Sequence, residues 1–551
     1  MKFDEIHRVS CDVLVIGGGG AGLRAAIEAR HTGADVLLVS KAKVGYANNT
    51  YIAKAIIAAS GWGDPRDGSA VHLEDTVKGG RFLNDPELVS VMVEEAKAEI
   101  SFLEKCGVAF KKEEGRFKTY YIAGHSFPRH VGGQNRTGSD LTLPLKQYAE
   151  KIGVRFANRI FITRLFSADS RVAAVSGISH DGRFWVFTAG AVILTTGGFG
   201  QMYEHTNNAA GITGDGQALA LHLGLPLKDM EFVQFYPTAS GKLGNRLILY
   251  EAIVLGEGAA LKNREGEDIA LKHGLEDPMR LTRDRLAQAI MRELLAGNGV
   301  DGGVIMDLSP IDEEKLAPLA SLLPSTWHVD QKTLIVSPTT HFCMGGIIVD
   351  KNAETPLTGL FAAGETTAGV HGANRLGGNA LCEVFTFGGI SGKRAAERAE
   401  EMGPTDAPGE MIEDEKARLE SRFKGMGTDP KVLSRSLKKA MWLKVGILRD
   451  PEGLREGLEK ISDIRSKAEN ASVGKISDLV RCLELENMLL LSEVVCQAAL
   501  LRTESRGSHY RTDCPDEDNT HWLKNIVARK GKTGIRLETV PVSEPVPYLV
   551  K

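Results

Sequence analysis

The chain has 551 residues, 42% of them hydrophobic and 25% charged, which calls for three or four units of about 100–200 residues rather than one core. A net charge of −4 and a pI near 6.4 give a nucleic-acid backbone no electrostatic hold, so no nucleic-acid partner is expected. The seven cysteines are scattered with no C-x-x-C pair, which argues against a disulfide framework and against an iron–sulfur or zinc site, and fits free thiols in a reducing compartment.

The first segment, MKFDEIHRVS, carries no signal-peptide or twin-arginine pattern, so a cytoplasmic location is expected. Residues 12–16 (DVLVI) form a continuous apolar run ending in glycines, the pattern of a buried parallel strand. A helix over 22–32 and a second strand over 35–39 complete a βαβ unit. Residues 45–63 read as loop and small-residue helix, and 86–106, after Asp85-Pro86, as an amphipathic helix. Residues 191–200 (AVILTTGGFG) are a further buried strand ending in a glycine turn, and a helix follows the TGDG turn near 217–223. Residues 228–338 break the α/β rhythm and read as an inserted domain. Parallel strands resume at 346–350 (GIIVD) and 359–363 (GLFAA), and a glycine-rich loop enters a helix after Asn379. From about 410 the chain is charged and helix-forming, notably over 411–425 and 453–505. Residues 488–501 are too short and too polar to span a bilayer and read as a buried helix. Turn residues and alternating apolar positions at 534–543 make the tail.

The expected fold is therefore α/β: a two-dinucleotide-fold domain in two parts (1–227 and 339–409), an inserted α+β domain (228–338), a C-terminal helical domain (410–510) and a tail (511–551).

Gly17-x-Gly19-x-x-Gly22 lies between the first strand and its helix. Glycines there let the backbone approach a pyrophosphate, whose charge the helix N-terminus favours. Gly18 and Ala21 belong to the same turn. The second strand ends Val39-Ser40-Lys41, without the acidic residue that usually meets a ribose, and Ser40 is a substitute partner for the ribose hydroxyls. Three more segments favour FAD over NAD: 191–200 with Gly197 and Gly198, the TGDG turn with Asp215, and 359–365 (GLFAAGE), where Glu365 suits ribityl hydroxyls.

Residues 229–239 (DMEFVQFYPTA), Arg283-Asp284, 341–346 (HFCMGG), 371–382 (HGANRLGGNALC) and 503–512 (TESRGSHYRT) make the chain similar to the flavoprotein subunit of the fumarate reductase/succinate dehydrogenase family, which includes L-aspartate oxidase. The resemblance runs from near residue 12 to near 515 and implies that the inserted domain (228–338) is a capping domain. It implies an FAD oxidoreductase acting on a CH–CH group, with hydride moving between flavin N5 and a small carboxylate such as fumarate or succinate. It implies His341 and Arg375 as carboxylate ligands, Arg283 as proton donor, and Lys41, Thr50, Ala380 and Leu381 at the cofactor. It also implies an iron–sulfur partner as electron donor, through which membrane attachment would come. The methanogen thiol-driven fumarate reductases are a specific possibility.

Four positions depart from the family pattern. Asn49 stands in 48–50 (NNT) where flavinylated members carry histidine, so FAD is expected to bind non-covalently, which tilts the reading toward reduction. Tyr236 occupies the histidine position of Q-[FY]-H-P-T; a phenol donates one hydrogen bond but does not become a cation near neutral pH. In 250–258 (YEAIVLGEG) Glu251 keeps the glutamate's place, but Leu255 replaces the relay arginine. Ile122 stands where aspartate oxidases hold the substrate ammonium with glutamate. The alternatives are a reductase or dehydrogenase of a different small carboxylate, L-aspartate oxidase, which Ile122 disfavours, and a non-catalytic FAD scaffold, which the retained Arg283, His341 and Arg375 disfavour.

Overall fold

The computed structural model describes residues 2–3, 5–240, 247–248, 258–275, 282–319, 332–423, 425–532 and 534–542. Glu251 and Leu255 lie outside the described residues.

The first strand, Ile6–Ile16, is buried on both faces over residues 13–16 and pairs in parallel with Val36–Ser40 on one side and Phe184–Leu194 on the other. Arg155–Asn158 extends this sheet beyond Val36–Ser40. Beyond Phe184–Leu194 lie the antiparallel strands Arg171–Ser179 and Ile160–Ala168, while Leu360–Ala362 adds in parallel to its C-terminal end. The C-terminal ends of the parallel strands therefore gather at one edge, where α/β sheets bind ligands.

Helix Gly20–His31 covers one face and meets helix Asn379–Met402. The two backbones approach so closely that a Cβ at Gly392 would lie 2.2 Å from the Ala25 carbonyl oxygen. That contact fixes the starts of both helices relative to each other, and both starts face the sheet edge.

Two antiparallel units sit beyond it. Val233–Ser240 pairs with Thr333–Cys343, which continues to Val304–Asp307 and Ala260–Lys262, and helix Arg283–Leu295 packs across this sheet. Gly346–Ile347, expected as part of a parallel strand, instead pairs antiparallel with Leu227–Lys228, in a sheet completed by the hairpin Lys524–Gly531 and Gly534–Pro541. Segment 45–63, read as loop and helix, contains a one-turn helix Asn49–Ile52 and a strand Ile56–Ala58.

The C-terminal helices Pro430–Lys444, Pro451–Ala468 and Ile476–Leu501 pack together around leucine and isoleucine side chains, with aspartate caps on the first two. Among the described residues no helix is long and apolar enough to cross a membrane.

Candidate active site

The site begins at the end of the first strand. Gly17 has φ +123, and its amide donates to the Val39 carbonyl at 2.8 Å. A side chain at Gly22 would strike the Gly17 carbonyl oxygen at 1.9 Å, so glycine there lets the helix start hard against the strand. Helix Gly20–His31 has no side-chain cap, although the Gly20 amide donates to Thr50 Oγ1 at 3.2 Å. Helix Asn379–Met402 also begins uncapped after Gly378, at φ +82. Two helix N-termini with backbone donors to offer thus border the same space.

That space is a cavity of about 1200 Å³. It is lined by Gly17, Gly18, Gly19, Ala21, Ser40, Lys41, Asn49, Thr50, Gly197, Asp215, Glu365, Ala380 and Leu381 from the expected cofactor set, and by Tyr236, Arg283, His341 and Arg375 from the expected substrate set. Gly22 and Gly198 do not line it. Gly22 serves helix–strand packing, and a Cβ at Gly198 would sit 2.5 Å from Glu365 Oε1.

Lys41 Nζ bonds Asp215 Oδ2 at 2.6 Å, Thr213 Oγ1 at 2.8 Å and Glu484 Oε1 at 3.0 Å. Glu365 accepts from Asn49 Nδ2 at 2.9 Å and from the Cys343 amide at 3.2 Å, and burial pushes its carboxyl up to about 7. Asn49 also reaches Asn208 Oδ1 at 2.9 Å and accepts from the Ala209 amide at 3.0 Å. Its amide is spent on positioning Glu365 and the 207–209 turn.

The substrate set comes from two strands, a helix and a loop. Tyr236 and His341 lie on the paired strands Val233–Ser240 and Thr333–Cys343, Arg283 opens its helix, and Arg375 lies in the loop before Asn379. The Arg283 guanidinium carbon is 5.1 Å from the Tyr236 ring centroid, and the Tyr236 and His341 rings meet edge-on at 5.6 Å. Arg375 stacks over Phe342 at 4.7 Å and donates from Nη2 to Gln234 Oε1 at 3.0 Å, while Gln234 Nε2 donates back to the Arg375 carbonyl at 2.9 Å. Burial and the neighbouring Arg375 and Arg283 hold His341 well below the usual imidazole range, so it is neutral. Its Nδ1 lies 3.1 Å from Asn207 Nδ2 and 3.4 Å from Asn207 Oδ1, so the Asn207 amide holds the ring in place. Two guanidiniums, a neutral imidazole and a phenol at one end of the cavity form a donor set for carboxylates.

Beneath the Arg375 loop, the Gly377 carbonyl accepts from His125 Nε2 at 2.9 Å and His130 Nε2 at 3.1 Å, and Ile122 lies against Gly377. Asn207, Asn208 and His130 escaped the sequence reading, while Gln234, in the Q-[FY]-H-P-T stretch, and His125 were given no role there. All act through partners far away in the chain.

Gly17–Gly19, Ser40, the two uncapped helix starts and Glu365 together offer backbone donors for a pyrophosphate and acceptors for sugar hydroxyls. The cavity thus fits FAD and defines a dinucleotide-fold flavoprotein. Comparison with known proteins gives the family. The FAD binding domain model matches residues 12–381, and the model for the fumarate reductase flavoprotein C-term matches 434–547. The fumarate reductase (CoM/CoB) chain of Methanothermobacter marburgensis is 37% identical over 540 residues, covering 96% of this chain and 98% of its own. Among solved structures, Mycobacterium smegmatis Sdh1 superposes with TM-score 0.90 at 33% identity, covering 98% of this chain and 96% of that one. Escherichia coli quinol fumarate reductase gives 0.89 at 29%, covering 98% and 99%. The chain belongs to the fumarate reductase/succinate dehydrogenase flavoprotein family and is an FAD-dependent oxidoreductase.

Proposed function

We propose that the protein reduces fumarate to succinate, with electrons supplied by a partner iron–sulfur protein and FAD held without a covalent bond. The observation that carries this reading is the convergence of Arg283, Arg375, His341 and Tyr236 on one end of the FAD cavity. When bound, FAD supplies a hydride at N5. Arg375, fixed by Gln234 and Phe342, grips one carboxylate as a two-pronged fork, and His341 Nε2–H adds a donor. Tyr236 donates one hydrogen bond toward the second carboxylate. Arg283 gives its proton to the carbon next to the one that takes hydride. A guanidinium has a pKa above about 12 and gives up a proton only if another arrives behind it. Glu251 is assigned to that supply. Arg283 also stabilises the negative charge developing in the transition state. Asn49 carries no ring nitrogen to bond flavin carbon, hence the non-covalent cofactor.

The M. marburgensis relative, named for CoM and CoB, supports a thiol-driven electron supply through such a partner. A second reading, reduction of a different small unsaturated carboxylate, is favoured by Tyr236, which replaces a potential cation with a phenol. Ile122, apolar and lining the cavity, speaks against an ammonium-bearing substrate such as aspartate. The test is purified holoprotein with reduced viologen and fumarate. Viologen oxidation with succinate formed supports fumarate; no oxidation with fumarate but oxidation with another acid supports the second reading.

A further inference from the structure

The FAD cavity is lined from an unexpected direction. Ile476, Val480, Arg481 and Glu484, all on the helix Ile476–Leu501, border it. They stand at i, i+4, i+5 and i+8, one face of the helix. Leu479, Leu483, Leu485, Met488 and Leu489 of the same helix are buried in the core. The matched FAD domain ends at residue 381, and the match to the C-terminal part begins at 434, so this wall is built by a different part of the chain.

Its place along the cavity follows from Lys41. In a dinucleotide fold the end of the second strand faces the adenosine ribose, and Lys41 comes directly after Ser40, the last residue of that strand. Lys41 Nζ bonds Glu484 Oε1 at 3.0 Å, and Asn487 Nδ2, one turn further along the helix, bonds Asp215 Oδ1 at 3.0 Å. Two polar ties thus hold the helix against the strand end. Tyr236, Arg283, His341 and Arg375 claim the reacting end of the cofactor, which leaves the Lys41 end to the nucleotide. There Ile160 and Ile162 also line the cavity, so apolar side chains stand on the strand and on the helix.

We propose that this helix face completes the adenosine subsite of FAD. Ile476 and Val480 pack against adenine together with Ile160 and Ile162. Glu484, oriented by Lys41, accepts from a ribose hydroxyl. Arg481, tied to Asp478 Oδ1 at 3.0 Å, closes the rim. The C-terminal helical part is therefore a cofactor-binding part, and FAD binding tightens its attachment to the dinucleotide fold.

The test is calorimetric titration of full-length apoprotein with FAD, ADP and FMN, for the native chain, Val480→Trp, and Ile476→Ala combined with Val480→Ala. Removing these methyl groups should weaken FAD and ADP together by about tenfold, and filling the pocket with indole by about 100-fold or more, while FMN is unchanged. Thermal melting of each apoprotein serves as the folding check, and the double alanine variant decides alone if the tryptophan variant does not fold. FAD affinity within about twofold of native in the double alanine variant overturns the proposal. An equal loss for FMN also overturns it, because the helix would then act only through general packing.

Discussion

Arg283 lies over Tyr236, its guanidinium carbon 5.1 Å from the ring centroid. This contact sets a planar cation from the start of one helix across a residue of the neighbouring strand. Lysine keeps the charge but loses both the planar fork and the stack. Arg283→Lys is therefore predicted to lower kcat by about 10²–10⁴-fold, with FAD content unchanged. Steady-state fumarate reduction alongside the flavin absorbance per chain checks both halves.

Tyr236 contributes through its phenol. Tyr236→Phe keeps the ring beneath Arg283 and against His341 but removes one donor to substrate. The loss of about 1–1.5 kcal/mol should raise KM for fumarate about tenfold with a smaller effect on kcat. An unchanged KM with a fallen kcat would mean that Tyr236 serves the proton step instead.

Asn49 bonds Glu365, Asn208 and the Ala209 amide and has no group to join flavin. Acid precipitation of the holoprotein should release all the flavin into the supernatant; flavin retained on the denatured chain would contradict this. Asn49→Ala leaves the raised Glu365 carboxyl without its side-chain donor and should weaken FAD binding by about tenfold, measured by fluorescence titration.

Acid should loosen the ground beneath Arg375. Burial, first of all, pushes His72 down to about 3, His125 to about 2 and His130 to about 4, with Arg129 and the neighbouring histidines adding to the effect. In the unfolded chain each binds a proton below about 6.5, so between that pH and the folded values the unfolded state holds more protons. The stability these neutral rings contribute is complete above about 6.5 and is lost as pH falls. Each ring adds a slope of about 1.4 kcal/mol per pH unit, and coupling within the cluster keeps the total below three times that. Comparing the native chain with His130→Gln isolates this contribution, since the raised Glu365 carboxyl, which acts with the opposite sign, is common to both: in urea unfolding the native chain should lose about 2 kcal/mol more than the variant between pH 7 and pH 5.

The βαβ start was legible because an apolar run, a glycine turn and a helical period leave few alternatives. The strand at 346–350 was misassigned because a short apolar run looks the same whether its neighbour is parallel or antiparallel; Gly346–Ile347 found its partner in Leu227–Lys228, over a hundred residues away. Gly22 and Gly198 fell outside the cavity for a related reason. A glycine required for close packing and one required for a ligand are indistinguishable in one sequence. The supports of the site were harder to see. Asn207 on His341 and His130 on Gly377 form no motif, the Q-[FY]-H-P-T stretch that holds Gln234 says nothing of its hold on Arg375, and nothing in the helix-forming stretch 453–505 marks Ile476 and Val480 as facing the cavity.

Reduced flavin in this cavity is proposed to pass hydride to fumarate held by Arg375, His341 and Tyr236 and protonated by Arg283. Anaerobic stopped-flow mixing of the reduced holoenzyme with fumarate tests it in one turnover. Oxidised-flavin absorbance should return as fumarate is added, with one succinate formed per flavin and the return abolished in Arg283→Ala. A flavin that stays reduced at saturating fumarate would contradict it.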